Sequence, residues 1–108
     1  PPPTPTAVRE RSTPQPLKIE LAQNYPNPFN PSTRIVFSLS QQAAVELHIF
    51  NIVGQRVATL LAENREAGKH EIMWQPTSLS SGVYFYRLQA KQESGKITTI
   101  TRKLLFVK

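Results

Sequence analysis

The side chains of this sequence that could do acid–base chemistry are two histidines and seven glutamates, and the chain has neither aspartate nor cysteine. A hydrolytic triad needs a nucleophile, a histidine and an acid that orients the histidine. His48 shares a predicted strand face with Glu46, and His70 lies near the start of another strand, so both fit ordinary strand positions. Only Glu63 and Glu66 fall in one predicted loop, and no phosphate-binding loop, G-x-S-x-G or H-E-x-x-H pattern occurs. We therefore predict no catalytic residue and no enzymatic activity.

The possible ligands for a metal are equally few. Zinc sites use clustered cysteine and histidine, and calcium loops use closely spaced Asp, Asn and Glu oxygens. Neither pattern occurs in a chain without cysteine or aspartate. The absence of cysteine also removes disulfides and thiol nucleophiles. We predict no metal site and no cofactor.

The net charge is +6, and most of the excess lies near the C-terminus. Residues 91–108 contain five Lys and Arg side chains and one Glu. They are spaced through a strand-like run without a recognition-helix pattern, so we predict no nucleic-acid binding. Cations on a final strand either guard its edge against pairing with another sheet or steer an acidic docking partner. The residues alone leave both interpretations open.

Nine of the ten prolines lie in the first 31 residues. Residues 1–20 combine proline with Thr and Ser and show no apolar periodicity, which indicates an extended, proline-rich linker. The sequence contains no apolar run of about 18 residues and no signal peptide, so we predict no membrane span. Because the chain starts at Pro1, we expect it to be part of a larger precursor. That precursor would have a further domain upstream, and we place a cleavage site within residues 4–17, because exposed polar segments are where proteases act.

From Leu21 onward, short segments with a period of two alternate with polar and Gly clusters. This spacing predicts an all-β fold over residues 21–108, an immunoglobulin-like antiparallel β-sandwich of about seven strands without a disulfide. Residues 56–66 could compete as a helix but lack an N-cap and a sustained helical period. The predicted strands lie around residues 35–39 and 45–49 and at 56–62, 69–74, 83–92 and 96–107, with a loop at 63–68 and a possible seventh strand at 17–21.

The aromatic residues allow two interpretations. Tyr84 and Tyr86 alternate along one strand, and we predict that their face lies in the core, because aromatic side chains hold small sandwiches together. The alternative is a platform on which Tyr84, Tyr86 and Phe85, with Trp74 and Tyr25, stack against sugars. The chain would then be a carbohydrate-binding or spacer module of an extracellular glycoside hydrolase.

The most specific run in the sequence is YPNPFNP at residues 25–31. Its prolines restrict the preceding residues to extended geometry, and Asn27 and Asn30 suit Asx-type turns that bond back to nearby backbone groups. We predict that Tyr25 and Phe29 insert into the sandwich. This motif, named the proline corner below, consists of Tyr25, Pro26, Asn27, Pro28, Phe29, Asn30 and Pro31.

Five segments of residues 21–108 together resemble the C-terminal sorting domain, type A, of the type IX secretion system of Bacteroidetes. These segments are NYPNPFNPST at residues 24–33, IFNIVGQ at 49–55, AGKH at 67–70, SGVYFYRL at 81–88 and RKLLFVK at 102–108. The sequence is also similar to the immunoglobulin-like module of flagellar hook-capping proteins, where the role is structural.

The resemblance implies a seven-stranded sandwich at the end of a secreted cargo protein. Such a cargo passes through the periplasm, is recognised by an outer-membrane translocon, and is cut by a sortase-like cysteine protease. It is then released or anchored to the cell surface. The recognition residues that the resemblance implies are Gly82, Val83, Tyr84, Arg102, Lys103 and Lys108.

Overall fold

The computed structural model describes residues 16–108, which form seven β-strands in two antiparallel sheets. This architecture confirms the predicted all-β, immunoglobulin-like sandwich. None of the described residues belongs to a helix that could cross a membrane. The strands are β1 (Ile19–Leu21), β2 (Thr33–Leu39), β3 (Ala43–Phe50), β4 (Arg56–Arg65), β5 (Gly68–Trp74), β6 (Gly82–Lys91) and β7 (Ile97–Phe106).

The two sheets have three and four strands, in the orders β1-β2-β5 and β4-β3-β6-β7. Strands β3 and β4 form one hairpin, and β6 and β7 form another whose register runs without a break from Gly82 opposite Phe106 to Lys91 opposite Ile97. β7 is therefore an edge strand of the larger sheet, and β1 is an edge strand of the smaller one.

The core lies between the sheets and follows the period of two seen in the sequence. β2 buries Ile35, Phe37 and Leu39, and the corresponding alternate positions of β3 and β6 are also buried. The largest fully buried side chain is that of Tyr86. Alternation of this kind places one face of every strand against the opposite sheet and leaves the other face outward.

Two predicted boundaries, that of the loop after β4 and that of the N-terminal linker, differ from the structure. The predicted loop at residues 63–68 is wrong, because β4 continues to Arg65, which pairs with Ala43 of β3. The helical alternative for residues 56–66 is excluded by the same pairing. At the N-terminal side, β1 pairs with β2, which confirms the possible seventh strand within residues 17–21. Leu17 is also buried, so the last residues of the predicted linker lie in the sandwich.

The strand directions place the two ends of the described chain at opposite ends of the sandwich. β1 begins opposite Leu39, beside the turn that joins β2 to β3 and the hairpin that joins β6 to β7. β7 ends at the other side, beside the proline corner and the first residues of β6. We call these ends the linker pole and the C-terminal pole.

Candidate functional site

The proline corner and the end of β7 are joined through their backbones at the C-terminal pole. The N–H of Phe29 donates to the carbonyl of Leu105 at 3.1 Å, and the N–H of Val107 donates to the carbonyl of Phe29 at 3.1 Å. These two bonds make a short parallel bridge between Phe29 and Phe106. The motif that opens the domain therefore covers part of the free edge of its last strand.

The Phe29 side chain fixes this junction from inside. It is 2% exposed, and its ring centroid lies 5.0 Å from that of Phe106 and 5.7 Å from that of Trp74. Tilted ring pairs at such distances contribute roughly 0.5–1.5 kcal/mol beyond the burial of their area. The predicted insertion of Phe29 into the sandwich is confirmed.

The other aromatic residue of the corner behaves differently. The predicted insertion of Tyr25 is wrong, since its side chain is 72% exposed. Tyr25 forms a β-bridge with Arg34, and bridged residues point to the same side of a sheet. Because Arg34 lies on the outer face of β2, next to the inward-pointing Thr33, the Tyr25 side chain also points outward.

The prediction of a local Asx turn at Asn27 is also wrong. Its side-chain oxygen accepts the N–H of Leu105 at 2.9 Å, which is 78 residues away in sequence. Asn27 thus satisfies an edge amide of β7 rather than its own turn. Sequence reasoning could not distinguish these uses, because an exposed asparagine after proline suits both.

A buried polar network behind the corner was not found from the sequence. The side-chain Nδ2 of Asn24 donates to the hydroxyl of Thr33 at 2.9 Å and to the carbonyl of Pro26 at 3.1 Å. The Pro26 carbonyl also accepts a hydrogen bond from the Thr33 hydroxyl at 2.9 Å. The Tyr86 hydroxyl accepts a hydrogen bond from the backbone N–H of Asn24 at 2.9 Å and donates to the carbonyl of Ala22 at 2.7 Å. The one available signal was Thr33, a polar residue at an inward position of the β2 alternation.

Burial raises the pKa of Tyr86 above its usual 10.0, although the Asn24 N–H and the Arg102 charge act in the opposite direction. The folded state therefore holds the phenolic proton more tightly than the unfolded chain does. The resulting contribution to stability is complete below pH 10.0 and is lost as the pH rises through the folded-state pKa.

Tyr86→Phe tests this network. The substitution leaves the Asn24 N–H and the Ala22 carbonyl without their partner, and we expect it to lower the free energy of unfolding at neutral pH by about 1–3 kcal/mol. Above pH 10.0 the difference between the two proteins should narrow, because only the wild type has a buried phenol to ionise. Urea denaturation at a series of pH values measures both effects, and a difference that stays constant into the alkaline range would contradict the assignment.

The residues predicted for recognition lie close together at the C-terminal pole. Gly82 pairs with Phe106, and Tyr84 pairs with Leu104. The Tyr84 hydroxyl donates to the carbonyl of Ser80 at 2.7 Å. The backbone N–H of Lys108 donates to the hydroxyl of Ser81 at 2.7 Å, which ties the end of the chain to the turn before β6.

The side chains of these residues divide between structural and exposed positions. Tyr84 is buried in the core, whereas Lys103 and Lys108 are exposed. Arg102 donates through Nε to the carbonyl of Leu21, so it connects the edges of the two sheets. Val83 and Lys103 face outward on the larger sheet, since their neighbours along each strand point inward.

The described residues form neither a cluster of metal ligands nor an aromatic platform for sugar. No group of three or more potential metal ligands occurs within residues 16–108. Tyr84, Tyr86 and Trp74 are core residues, so the rings proposed for sugar stacking do not form a platform. This placement confirms the core interpretation of the Tyr84 face.

Comparison with known proteins supplies independent information. The family model described as the secretion system C-terminal sorting domain matches residues 23–105. No curated protein sequence matches the chain significantly.

Three solved structures show the same fold. The dimeric latent PorU from Porphyromonas gingivalis superimposes with a TM-score of 0.73 and 21% sequence identity. The match covers 88% of this chain but only 10% of the much longer PorU chain. CopC from Methylosinus trichosporium OB3b gives a TM-score of 0.55 and 12% identity, covering 82% of this chain and 93% of CopC. The PmoD soluble domain from Methylocystis sp. ATCC 49242 (Rockwell) gives a TM-score of 0.56 and 16% identity, covering 84% of this chain and 90% of the PmoD chain.

Proposed function

Because the chain belongs to the family of secretion-system C-terminal sorting domains, we propose that it directs an upstream cargo protein across the outer membrane by the type IX pathway. Its immediate partners are then an outer-membrane translocon and a sortase-like protease. The cargo passes through the periplasm and ends in the medium or on the cell surface.

The observation that best supports a role in recognition is the composite C-terminal pole. The last residues of the chain are ordered by the proline corner through Phe29 and Asn27. A receptor would therefore meet the C-terminal cations on a folded surface. Fixed charges on such a surface favour rapid encounter with an acidic partner.

The position of the linker suits the processing step. The strands of the β6–β7 hairpin have ten residues each, so the two poles are separated by about 30 Å at the rise of an extended strand. A protease could then cut near the linker pole while a receptor holds the C-terminal pole.

The cleavage site within residues 4–17 is part of this proposal, and residues 4–15 lie outside the part of the chain that the structure describes. Release of the cargo or its transfer to a surface anchor follows the cut.

A transplantation experiment tests the proposed function. A periplasmic reporter is fused to residues 1–108, to residues 1–15 alone, or to nothing, and each protein is produced in a host that has the type IX pathway. We expect the reporter in the medium or on the surface only with residues 1–108. Retention of that fusion in the periplasm, with the sandwich folded, would overturn the proposal.

A further inference from the structure

The outer face of the four-stranded sheet has an unusual composition near the C-terminal pole. Such a face is commonly solvated and polar in an antiparallel sandwich. Here Phe50 pairs with Phe85, and Val83 pairs with Leu105. All four side chains are partly exposed on the outward side. They form an apolar patch over three neighbouring strands.

Basic groups border this apolar patch. The guanidinium carbon of Arg87 lies 4.3 Å from the centroid of the Phe50 ring, a cation–π arrangement. On β7, the exposed Lys103 pairs with Phe85 of the patch. We call the combined surface the aromatic–basic face; it consists of Phe50, Val83, Phe85, Arg87, Lys103 and Leu105.

Charge is segregated along this sheet. The half nearer the C-terminal pole carries Arg56, Arg102 and Lys103 and has no glutamate. Arg87 lies at the middle of β6, opposite His48, whose ring is hydrogen-bonded to Glu46. The half nearer the linker pole carries both signs. Its charged residues, including those in the hairpin turn, are Glu46, Glu63, Arg65, Lys91, Glu93 and Lys96.

We infer that the aromatic–basic face is the docking surface for a protein partner that surrounds an apolar centre with carboxylates. Lys103 has no acidic neighbour on its half of the sheet, so an acidic partner would complement its charge. The aromatic–basic face includes Val83 and Lys103, two residues of the predicted recognition set. The inference rests on the proposed function, because the partner is a component that the exported chain meets.

A lipid surface is the competing occupant. Membrane insertion uses apolar side chains that project beyond the basic groups, whereas the four apolar side chains of the face are partly buried against their neighbours. Ile52 and Val53 do project, since they are 72% and 73% exposed at the adjoining β3–β4 turn. A direct lipid-binding measurement is therefore part of the test.

The main experiment compares charge changes on the two halves of the same sheet, using the reporter fused to residues 1–108. Lys103→Glu reverses a charge on the face, Lys103→Arg keeps it, and Lys91→Glu is the matched control, an exposed lysine of β6 in the other half. We expect Lys103→Glu to reduce the exported fraction by at least about tenfold. Lys103→Arg and Lys91→Glu should be exported like the wild type. Melting followed by Trp74 fluorescence verifies that all variants are folded.

The outcomes separate the inference from the proposed function. If the wild-type fusion is not exported, the proposed function fails. If the wild type and Lys103→Glu are exported equally, or if Lys91→Glu is impaired as much as Lys103→Glu, the docking face is refuted and the export function stands. Sedimentation of the purified chain with phosphatidylglycerol vesicles should show no binding. Vesicle binding that Lys103→Glu abolishes would assign the face to lipid and overturn the protein partner.

Discussion

Replacing Phe29 with alanine is expected to lower the free energy of unfolding by about 3–5 kcal/mol, because it empties a buried site between Trp74 and Phe106. This is a large fraction of the roughly 5–15 kcal/mol that holds a domain of this kind folded. The junction between the proline corner and the end of β7 would lose its internal support. Trp74 reports the change directly, since its ring lies 5.7 Å from that of Phe29.

Tyr25→Ala is the matched control within the same motif. It also removes an aromatic ring from the proline corner, but the ring is 72% exposed, and we expect a change within about 0.5 kcal/mol. Urea denaturation followed by Trp74 fluorescence measures both variants. Equal effects of the two substitutions would contradict the assignment of Phe29 as the internal anchor of the corner.

Deletion of residues 104–108 is expected to unfold the sandwich. The deletion removes the side chains of Leu104 and Phe106, which are 0% and 5% exposed. Loss of two such side chains costs about 5–10 kcal/mol, which is comparable to the whole stability of a small domain. The backbone bonds of Leu105 to Phe29 and Asn27 are lost as well. Far-ultraviolet circular dichroism should show loss of the β-sheet signal at 25 °C.

Deletion of residues 107 and 108 alone is the contrasting case. Both residues are exposed and lie after β7, and their backbone N–H groups donate to the Phe29 carbonyl and the Ser81 hydroxyl. We expect a loss of about 1–3 kcal/mol from these two bonds and a folded domain. A native-like spectrum for the longer deletion would contradict the role of the β7 end in the core.

These deletions affect how sorting experiments are designed. A longer C-terminal truncation removes the surface that a receptor would recognise and also the fold that presents it. An export defect after deletion of residues 102–108 therefore does not identify a recognition motif. Substitution at an exposed position such as Lys103 separates the two effects, because its side chain lies outside the core.

Periodicity was sufficient to predict the fold. Tyr84, Tyr86 and Leu88 alternate, and the structure buries all three on one face of β6. Phe29 was predicted to insert into the sandwich from the rigid geometry that the neighbouring prolines impose. Both inferences depend on local sequence alone.

The remaining features depend on contacts between distant residues. Asn27 pairs with Leu105 across 78 positions, and Tyr86 completes a network with Asn24 across 62 positions. Tyr25 points outward because its bridge to Arg34 places it on the outer side of the smaller sheet. No short-range pattern specifies such pairings, since they follow from how the first and last strands meet.

The central claim is that this chain is a sorting domain for the type IX pathway. The most direct test is the location of the reporter fused to residues 1–108 in two strains that differ only in the outer-membrane translocon. We predict that the reporter is outside the cell in the parent strain and in the periplasm in the strain that lacks the translocon. The same extracellular fraction in both strains would contradict the claim.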